Sequence, residues 1–244
     1  MSGAWPDTAA GFRIEVHEVV GSTQDLARAR LGRGEDVVVV GLEQTAGRGR
    51  LDRVWTSPPG NLYASTLLRV TLLPRLLPAS SLVVAVALAE ALEALGAAPR
   101  VKWPNDLLLG GLKVAGILLE HQNGHLVIGT GINVKATPQG QPAATTLAAV
   151  GISPTLPQLL EAYLLRLRAR FTEFEQHGFF AIRQAWLERA EALGQPLRVR
   201  LADGLLEGRH GGIDDYGALR VEVADGVVLV AVGDVELVRT QEGA

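Results

Sequence analysis

The chain has 244 residues, of which 48% are hydrophobic and 20% charged, so it can bury a sizeable core in one large domain with a small appended one. The formal net charge is −3 without any run of lysine or arginine, which argues against broad electrostatic capture of nucleic acid or an anionic membrane. The absence of cysteine excludes disulfides, thiolate zinc sites and cysteine nucleophiles. No signal-peptide pattern begins the chain, and the apolar stretch 82–95 contains Glu90 and Glu93 and is too short to span a bilayer, so we expect a cytoplasmic protein.

Patterns of apolar residues predict the elements of the N-terminal half. Residues 1–11 are rich in glycine, alanine and proline and are expected to be poorly ordered. Strands are predicted where apolar residues alternate or form a β-branched run, at 12–20, 37–40 and 62–70. Helices are predicted where a capping residue precedes an apolar segment and a glycine follows it, at 23–31 and 80–95. The second helix is apolar nearly all round, so we expect it to be buried.

The middle of the chain predicts an antiparallel meander. Gly110-Gly111 and Asn123-Gly124 are tight-turn pairs that separate three apolar runs: 107–109, 114–119 and 126–134. A short strand at 100–103 precedes them. The Pro- and Gly-rich stretch 137–157 is interpreted as a surface excursion. Successive strands with helices before and after them indicate an α+β fold with a mixed, largely antiparallel sheet flanked by helices.

In the last part of the chain the spacing of apolar residues changes from a helical repeat to alternation. Two amphipathic helices, 156–175 and 179–193, end at a break, Gly194-Gln195-Pro196. Apolar residues then alternate, and turn pairs punctuate the runs: Asp203-Gly204, Tyr216-Gly217 and Asp225-Gly226. This pattern predicts a small, separate β-barrel of SH3-like size. The predicted domains are therefore 1–193 and 194–244.

A loop of alternating glycine and arginine, Gly47–Arg50, follows the predicted buried strand. Glycine lets the backbone approach a ligand closely, and arginine offers a planar fork of donors to carboxylates and phosphates. A solvated surface turn would explain the loop equally well on its own. The chain contains neither a dinucleotide fingerprint nor a P-loop, so those two phosphate-binding modes are excluded.

Four other features allow a structural or a functional interpretation. Ser22-Thr23 can cap a helix and also point hydroxyl and N–H groups at a ligand. Lys102–Asp106 is good turn chemistry, and Lys113 could be an ordinary solvated lysine, although its neighbours are apolar. Gly129–Gly131 indicates a bulge or a ligand lying against the backbone. His121 and His125 flank a turn with no third ligand nearby, so we predict no metal site there.

Taken together and in order, these stretches resemble the catalytic core of biotin protein ligases, a class II synthetase-like fold. The matching segments are Gly21–Asp25, Glu43–Arg50, Trp55–Pro58, Asn61–Tyr63, Val101–Asp106, Lys113–Leu118 and Gly129–Asn133. The C-terminal tail resembles the small SH3-like domain of the same family.

The resemblance implies a two-step, ATP-dependent reaction. Biotin and ATP would form biotinyl-5′-AMP and pyrophosphate, with Mg²⁺ neutralising the triphosphate. A lysine of a biotin carboxyl carrier protein domain, part of a biotin-dependent carboxylase, would then accept biotin. Too few residues precede the first predicted strand for a DNA-binding domain, so we expect neither DNA nor a membrane as partner. An exposed sheet edge could support a homodimer.

The resemblance also assigns roles to residues of this chain. Those implied to bind biotin are Ser22, Thr23, Gln24, Gln44, Gly47, Arg48, Gly49, Arg50, Lys113, Gly116 and Gly129. Those implied to bind ATP are Arg50, Arg53, Trp55, Asn105, Lys113 and Asn133. Those implied to be catalytic are Lys113, Arg48, Arg50 and Asp106. Within this last group, Asp106 would orient or deprotonate the acceptor lysine.

One departure and two rivals accompany the resemblance. The family commonly continues the loop with a further glycine, where this chain has Leu51-Asp52, so a negative charge is expected beside a phosphate site. A lipoate or octanoate ligase on a similar core is the nearest rival, and a cysteine-dependent octanoyltransferase is excluded. A non-catalytic biotin-binding protein is the rival from a different class.

Overall fold

An eight-stranded sheet forms the larger part of the protein, whose computed structural model describes residues 4–51, 53–138, 141 and 143–238. The strand order is β1-β2-β3-β4-β8-β7-β6-β5. The strands are β1 (Thr8–Ala9), β2 (Phe12–Val20), β3 (Val37–Gln44), β4 (Leu62–Arg69), β5 (Arg100–Lys102), β6 (Asp106–Leu109), β7 (Leu112–Gln122) and β8 (His125–Ile132). Only β2 and β3 pair in parallel among the described neighbours, so the predicted mixed, largely antiparallel sheet is confirmed.

Four α-helices accompany the sheet in the described part of the chain: α1 (Thr23–Arg28), α2 (Ser80–Ala94), α3 (Leu156–His177) and α4 (Phe180–Arg189). Helix α2 packs against α3, α4 and strands of the sheet, and Val83 to Ala89 are all fully buried. With the 3-10 turn before it, the segment Pro74–Ala94 is long and apolar enough to cross a membrane, but 67% of its apolar window is buried inside the protein. Burial on all sides identifies α2 as a core helix, as its apolar sequence predicted.

Two predicted loop regions contain ordered contacts with the sheet. Thr8–Ala9 pairs with β2, so the expectation that residues 1–11 are poorly ordered was wrong for this stretch. The predicted surface excursion was wrong at Thr145–Leu147, which are buried: the Thr145 N–H donates to Lys113 O at 2.8 Å, and Leu147 is fully buried. Backbone hydrogen bonds to Lys113, at the start of β7, explain why this part of the Pro- and Gly-rich stretch folds inward.

The C-terminal part forms a five-stranded antiparallel sheet in the order β12-β11-β10-β9-β13. Its strands are β9 (Pro196–Leu201), β10 (Gly204–Ile213), β11 (Leu219–Val223), β12 (Gly226–Val230) and β13 (Asp234–Leu237). Strands β12 and β13 each pair with one neighbour in the described residues, so the expected closed barrel is an open sheet. Its buried residues, such as Val199 and Val221, belong to the same core cluster as the large sheet. The sheet therefore covers its apolar face with the rest of the protein instead of closing on itself.

Candidate active site

A cleft with about 890 Å³ of empty space, part of it open to solvent, lies where α1, the large sheet and the start of β13 meet. Hydroxyl and amide groups line one part of the cleft, and cations line another. We call Thr23, Gln24, Gln44 and Ser65 the neutral end, and Arg48, Arg50, Arg53 and Lys113 the cationic end.

The neutral end is a buried hydrogen-bond network. Gln44 Oε1 accepts from the Thr23 backbone N–H at 2.9 Å and from the Thr23 hydroxyl at 3.0 Å. The Ser65 hydroxyl donates to Gln24 Oε1 at 3.1 Å and lies 2.8 Å from the Thr23 hydroxyl. Thr23, Gln24 and Ser65 are each less than 5% exposed. A buried network of this kind holds its members in one arrangement.

Both glutamine side chains donate their amide N–H groups away from the cleft, and these hydrogen bonds orient the amides. Gln44 Nε2 donates to Ser57 Oγ at 2.9 Å, and Gln24 Nε2 donates to Val127 O at 3.0 Å. A Cβ at Gly129 would lie 2.7 Å from Gln24 Oε1, so glycine is needed there to admit this amide. The two amide oxygens are therefore directed toward the hydroxyls of the neutral end.

The position of the neutral end follows from helix α1. Ser22 is the N-cap residue of this helix with extended backbone, as predicted, but its side chain makes no capping hydrogen bond. Thr23 and Gln24 begin the helix and are buried against β3, β4 and β8. The helix ends at Arg28, earlier than predicted, and Arg28 is paired with Glu120 of β7 at 2.5 Å.

The loop of glycines and arginines folds back as a small hairpin. Arg48 and Val54 form an antiparallel bridge, and the Gly49 N–H donates to Arg53 O at 2.7 Å. A Cβ at Gly47 would lie 2.4 Å from Trp55 O, so this glycine is required by the hairpin itself. Asp52, at which the sequence departs from the resembled pattern, lies outside the described residues.

Trp55 lies across the sheet in the middle of the cleft. A Cβ at Gly131 would lie 2.6 Å from the indole, and one at Gly116 would lie 2.9 Å from it. Lys113 Nζ is 5.1 Å from the centroid of the Trp55 ring, within the range of a cation–π contact. Gly116 and Gly131 thus make room for the indole, and contact of Gly116 and Gly129 with biotin stays a prediction.

Each cation of the cationic end has a polar or acidic partner. Lys113 Nζ lies 2.7 Å from Asp106 Oδ1, and Arg48 Nη2 lies 2.5 Å from Asp25 Oδ1. Arg53 pairs with Asp234 of the C-terminal sheet. Arg50 Nη1 donates to Asn105 Oδ1 at 3.1 Å. All four cations remain partly exposed, so an anionic ligand can reach them.

The cleft brings together nearly all of the residues that the sequence nominated, from Ser22 to Lys113. Gly47 and Asn133 do not line it. Asn133 is 1% exposed, and its Nδ2 donates to Lys113 O at 3.5 Å, so any effect on a nucleotide would pass through β7. The assignment of Asn133 to ATP stays a prediction.

Several lining residues were missed by sequence reasoning, among them Tyr63, Ser65, Thr130 and Asp234. Tyr63 carried a signal, because it belongs to a resembling segment. Burial raises its pKa to about 12, and its hydroxyl donates to Pro58 O at 2.8 Å. A serine inside an apolar strand also hints that Ser65 has a polar partner. Asp234 lies far along the chain from every other site residue and gave no signal.

Comparisons with known proteins identify the family to which the chain belongs. Residues 16–135 match the Biotin/lipoate A/B protein ligase family, and residues 192–238 match the Biotin protein ligase C terminal domain. The bifunctional ligase/repressor BirA of Bacillus subtilis is 36% identical over 93% of this chain and 74% of its own length. The biotin–[acetyl-CoA-carboxylase] ligase of Mycobacterium tuberculosis is 33% identical, over 93% of this chain and 90% of its own.

A solved structure extends the similarity to three dimensions. The biotin protein ligase of Aquifex aeolicus in complex with biotin and ATP superposes with a TM-score of 0.83 at 29% identity, over 93% of this chain and 99% of that chain. This chain belongs to the biotin/lipoate protein ligase family, and within it to the biotin protein ligases.

Proposed function

We propose that this protein uses ATP to join biotin to a lysine of a carrier protein. In the first step a carboxylate oxygen of biotin attacks the α-phosphorus of ATP, which forms biotinyl-5′-AMP and expels pyrophosphate. In the second step the lysine amine attacks the carbonyl carbon of the mixed anhydride, and AMP leaves. The carboxylate is itself the nucleophile, so the chemistry requires positive charge where two anions meet.

The neutral end has fewer hydroxyl protons than oxygen–oxygen contacts, and this shortage is the main support for the proposal. Three short contacts join Gln44, Thr23, Ser65 and Gln24 through their oxygens, but the two hydroxyls supply only two protons. Since both amide nitrogens donate elsewhere, acceptor capacity is left over. The two N–H donors of a ureido group match this surplus, whereas the dithiolane ring of lipoate has no donor.

The cationic end supplies the charge. Lys113 and the loop arginines Arg48 and Arg50 would contact the biotin carboxylate and the α-phosphate. Arg53, Trp55 and Asn105 would lie on the nucleotide side. Asp106 Oδ1 lies 2.7 Å from Lys113 Nζ. Once the Lys113 ammonium moves to a phosphate, Asp106 would be available to bind the amine of the acceptor lysine. Ser22 and Gly49 would complete the contacts with biotin.

Mg²⁺ would enter the cleft as part of the substrate, MgATP. No cluster of three histidine or acidic side chains that could hold a metal ion occurs among the described residues. Among the residues that the structure describes, the carboxylates that line the cleft are Asp106 and Asp234, and both are paired with cations. The residues present therefore do not fit a protein-built magnesium cage, and the ion would be held mainly by the phosphates and water.

The partner we propose is a biotin carboxyl carrier protein domain of a biotin-dependent carboxylase, because relatives are named biotin–[acetyl-CoA-carboxylase] ligases. We propose a cytoplasmic protein that acts without DNA or a membrane, in keeping with its net charge of −3. A homodimer is also proposed: beyond Ile14, the outer edge of β2 pairs with no other strand in the described part of the sheet.

The test is pyrophosphate exchange into ATP, run side by side with biotin, lipoate and octanoate. We expect exchange with biotin alone, followed by labelling of a carrier domain when that domain is added. Exchange with lipoate or octanoate in preference to biotin would favour the lipoate-type ligase. If biotin binds but exchange is absent at every biotin concentration, the protein is a biotin-binding protein and the enzymatic proposal is wrong.

A further inference from the structure

The C-terminal sheet contributes a carboxylate to the cleft. Asp234 is the first residue of β13, lines the same cleft as Lys113, and keeps 23% of its side chain exposed. Gly233 precedes it, and a Cβ at Gly233 would lie 2.8 Å from Val199 Cγ1. The backbone packs closely against β9 at this point, so the main chain that carries the Asp234 side chain is held in place.

Asp234 contacts Arg50 and Arg53, two arginines of the glycine- and arginine-rich loop that follows β3 and that we call the ligand loop. Its Oδ2 pairs with Arg53 Nη2, and its Oδ1 lies 3.9 Å from Arg50 Nη1. Arg50 Nη2 also donates to Gly233 O at 3.4 Å, and Arg50 Nη1 donates to Asn105 Oδ1 at 3.1 Å. Arg50 is therefore held between the C-terminal sheet on one side and the turn before β6 on the other.

We propose that Asp234 is a positioning residue that holds Arg50 and Arg53 toward the cleft for the phosphates of ATP. Two neighbouring guanidinium groups repel each other, and a carboxylate between them offsets that repulsion. Side chains held in place before binding lose less conformational freedom when the ligand arrives. This inference rests on the proposed function, since it assigns a nucleoside triphosphate to these arginines.

A double-mutant cycle tests the proposal: Asp234→Ala, Arg53→Ala and the double variant, assayed by biotin-dependent pyrophosphate exchange. Each single variant is expected to raise the KM for ATP about three- to tenfold, because a partly exposed charge pair is lost. The double variant is expected to raise the KM for ATP by less than the product of the two single effects, since both single changes break the Asp234–Arg53 pair. The KM for biotin should change less than the KM for ATP, because Arg50 is the only one of the two arginines that is also placed against the biotin carboxylate.

Glu236→Ala is the matched control. Glu236 lies two residues further along β13 and pairs with Arg200 at 2.7 Å. This variant removes a carboxylate from the same strand and should leave the KM for ATP unchanged. Thermal unfolding of every variant, together with Asp234→Asn, separates a positioning role from a folding defect.

Two results would overturn the proposal. One is independent, additive effects of Asp234→Ala and Arg53→Ala on the KM for ATP. The other is a KM for ATP in Asp234→Ala equal to or below that of the wild type; a lower value would mean that the carboxylate competes with phosphate. Calorimetric titration with a non-hydrolysable ATP analogue gives the same comparison without turnover. Because this titration does not need turnover, absence of exchange in the wild type would contradict the proposed function without contradicting the positioning role of Asp234.

Discussion

The two ends of the cleft are built differently. The neutral end consists of side chains on α1, β3 and β4 that are bonded to one another and are buried, except for the half-buried Gln44. The cationic end consists largely of loop arginines that stay partly exposed and are paired with carboxylates from α1 and from the C-terminal sheet. One end is fixed by a neutral network inside the sheet, and the other is held by ion pairs that an incoming anion can replace.

This difference separates recognition from chemistry. A fixed network rejects a ligand that lacks matching donors, because its buried polar groups would then remain unpaired. Paired cations keep the empty site from carrying a cluster of uncompensated positive charge, and they are released only for a ligand with charge of its own. Under the proposed function, the substrate would be selected at one end and activated at the other.

The largest effect is expected from breaking the cationic end at Lys113. Lys113→Ala removes the cation that we propose faces both the biotin carboxylate and the α-phosphate, and it leaves Asp106 without the ammonium that lies 2.7 Å from it. We expect kcat for biotin-dependent pyrophosphate exchange to fall by a factor of about 100 to 1,000, because removal of one preorganised electrostatic contact commonly costs that much. The measurement is initial-rate exchange at saturating biotin and ATP.

Lys135→Ala serves as the control for that experiment, because Lys135 does not line the cleft. Its exchange rate should equal that of the wild type, and circular dichroism should show both variants folded. Normal adenylation by Lys113→Ala would contradict the role assigned to this lysine.

A smaller effect is expected from breaking the neutral end at Thr23. Thr23→Val keeps the shape of the side chain but removes the hydroxyl that links Gln44 to Ser65. The KM for biotin should rise about 10- to 100-fold, since a lost hydrogen bond in a buried site costs about 1–3 kcal/mol. The value of kcat at saturating biotin should change much less, and exchange assays across a biotin titration measure both.

Thr45→Val is the matched control, because the Thr45 hydroxyl donates to Val20 O at 3.4 Å outside the cleft. Should Thr23→Val lower kcat and leave the KM for biotin unchanged, the separation of recognition from activation would not hold. Gain of lipoate exchange by Thr23→Val would sharpen the comparison, because it would show that the hydroxyl excludes the rival substrate.

The smallest effect is expected from pH. Thr23, Gln24, Gln44 and Ser65 do not titrate, and burial raises the pKa of neighbouring Tyr63 to about 12, so this phenol stays neutral. The KM for biotin should then be flat between about pH 6 and pH 9. Above about pH 10 an unfolded tyrosine ionises before the folded one, so Tyr63 should lower stability there. Titration of the biotin KM with a midpoint near neutrality would contradict this account.

Much of the fold could be predicted because local signals agree with the structure. The run Val37–Val40 is fully buried in β3, and Gly110-Gly111 forms the turn between β6 and β7 with positive φ at both residues. The resembling motifs located the cleft residues on α1, the ligand loop and β7. These features depend on periodicity and turn chemistry, which a sequence displays directly.

The rest depends on contacts between distant segments. The ordered stretch Ala143–Leu147 is fixed by hydrogen bonds to β7, and its own sequence indicates a loop. The open C-terminal sheet follows from packing against a shared core, which alternation alone does not reveal. Asp234 enters the cleft only because β13 lies beside the ligand loop. The sequence pattern predicted the elements, and tertiary packing decided which of them meet.

Trp55 gives the molecule an optical signal of its own. Its indole is half-buried in the cleft, under the Lys113 ammonium and against the bare backbone of Gly131. Of the other three tryptophans, Trp103 and Trp186 are fixed in the core and Trp5 lies near the N-terminus, away from the cleft. A molecule that enters the cleft changes the polarity and the charge around Trp55, which is one of the four tryptophans of the chain. Occupancy can thus be followed by intrinsic fluorescence emission, without a dye or a labelled substrate.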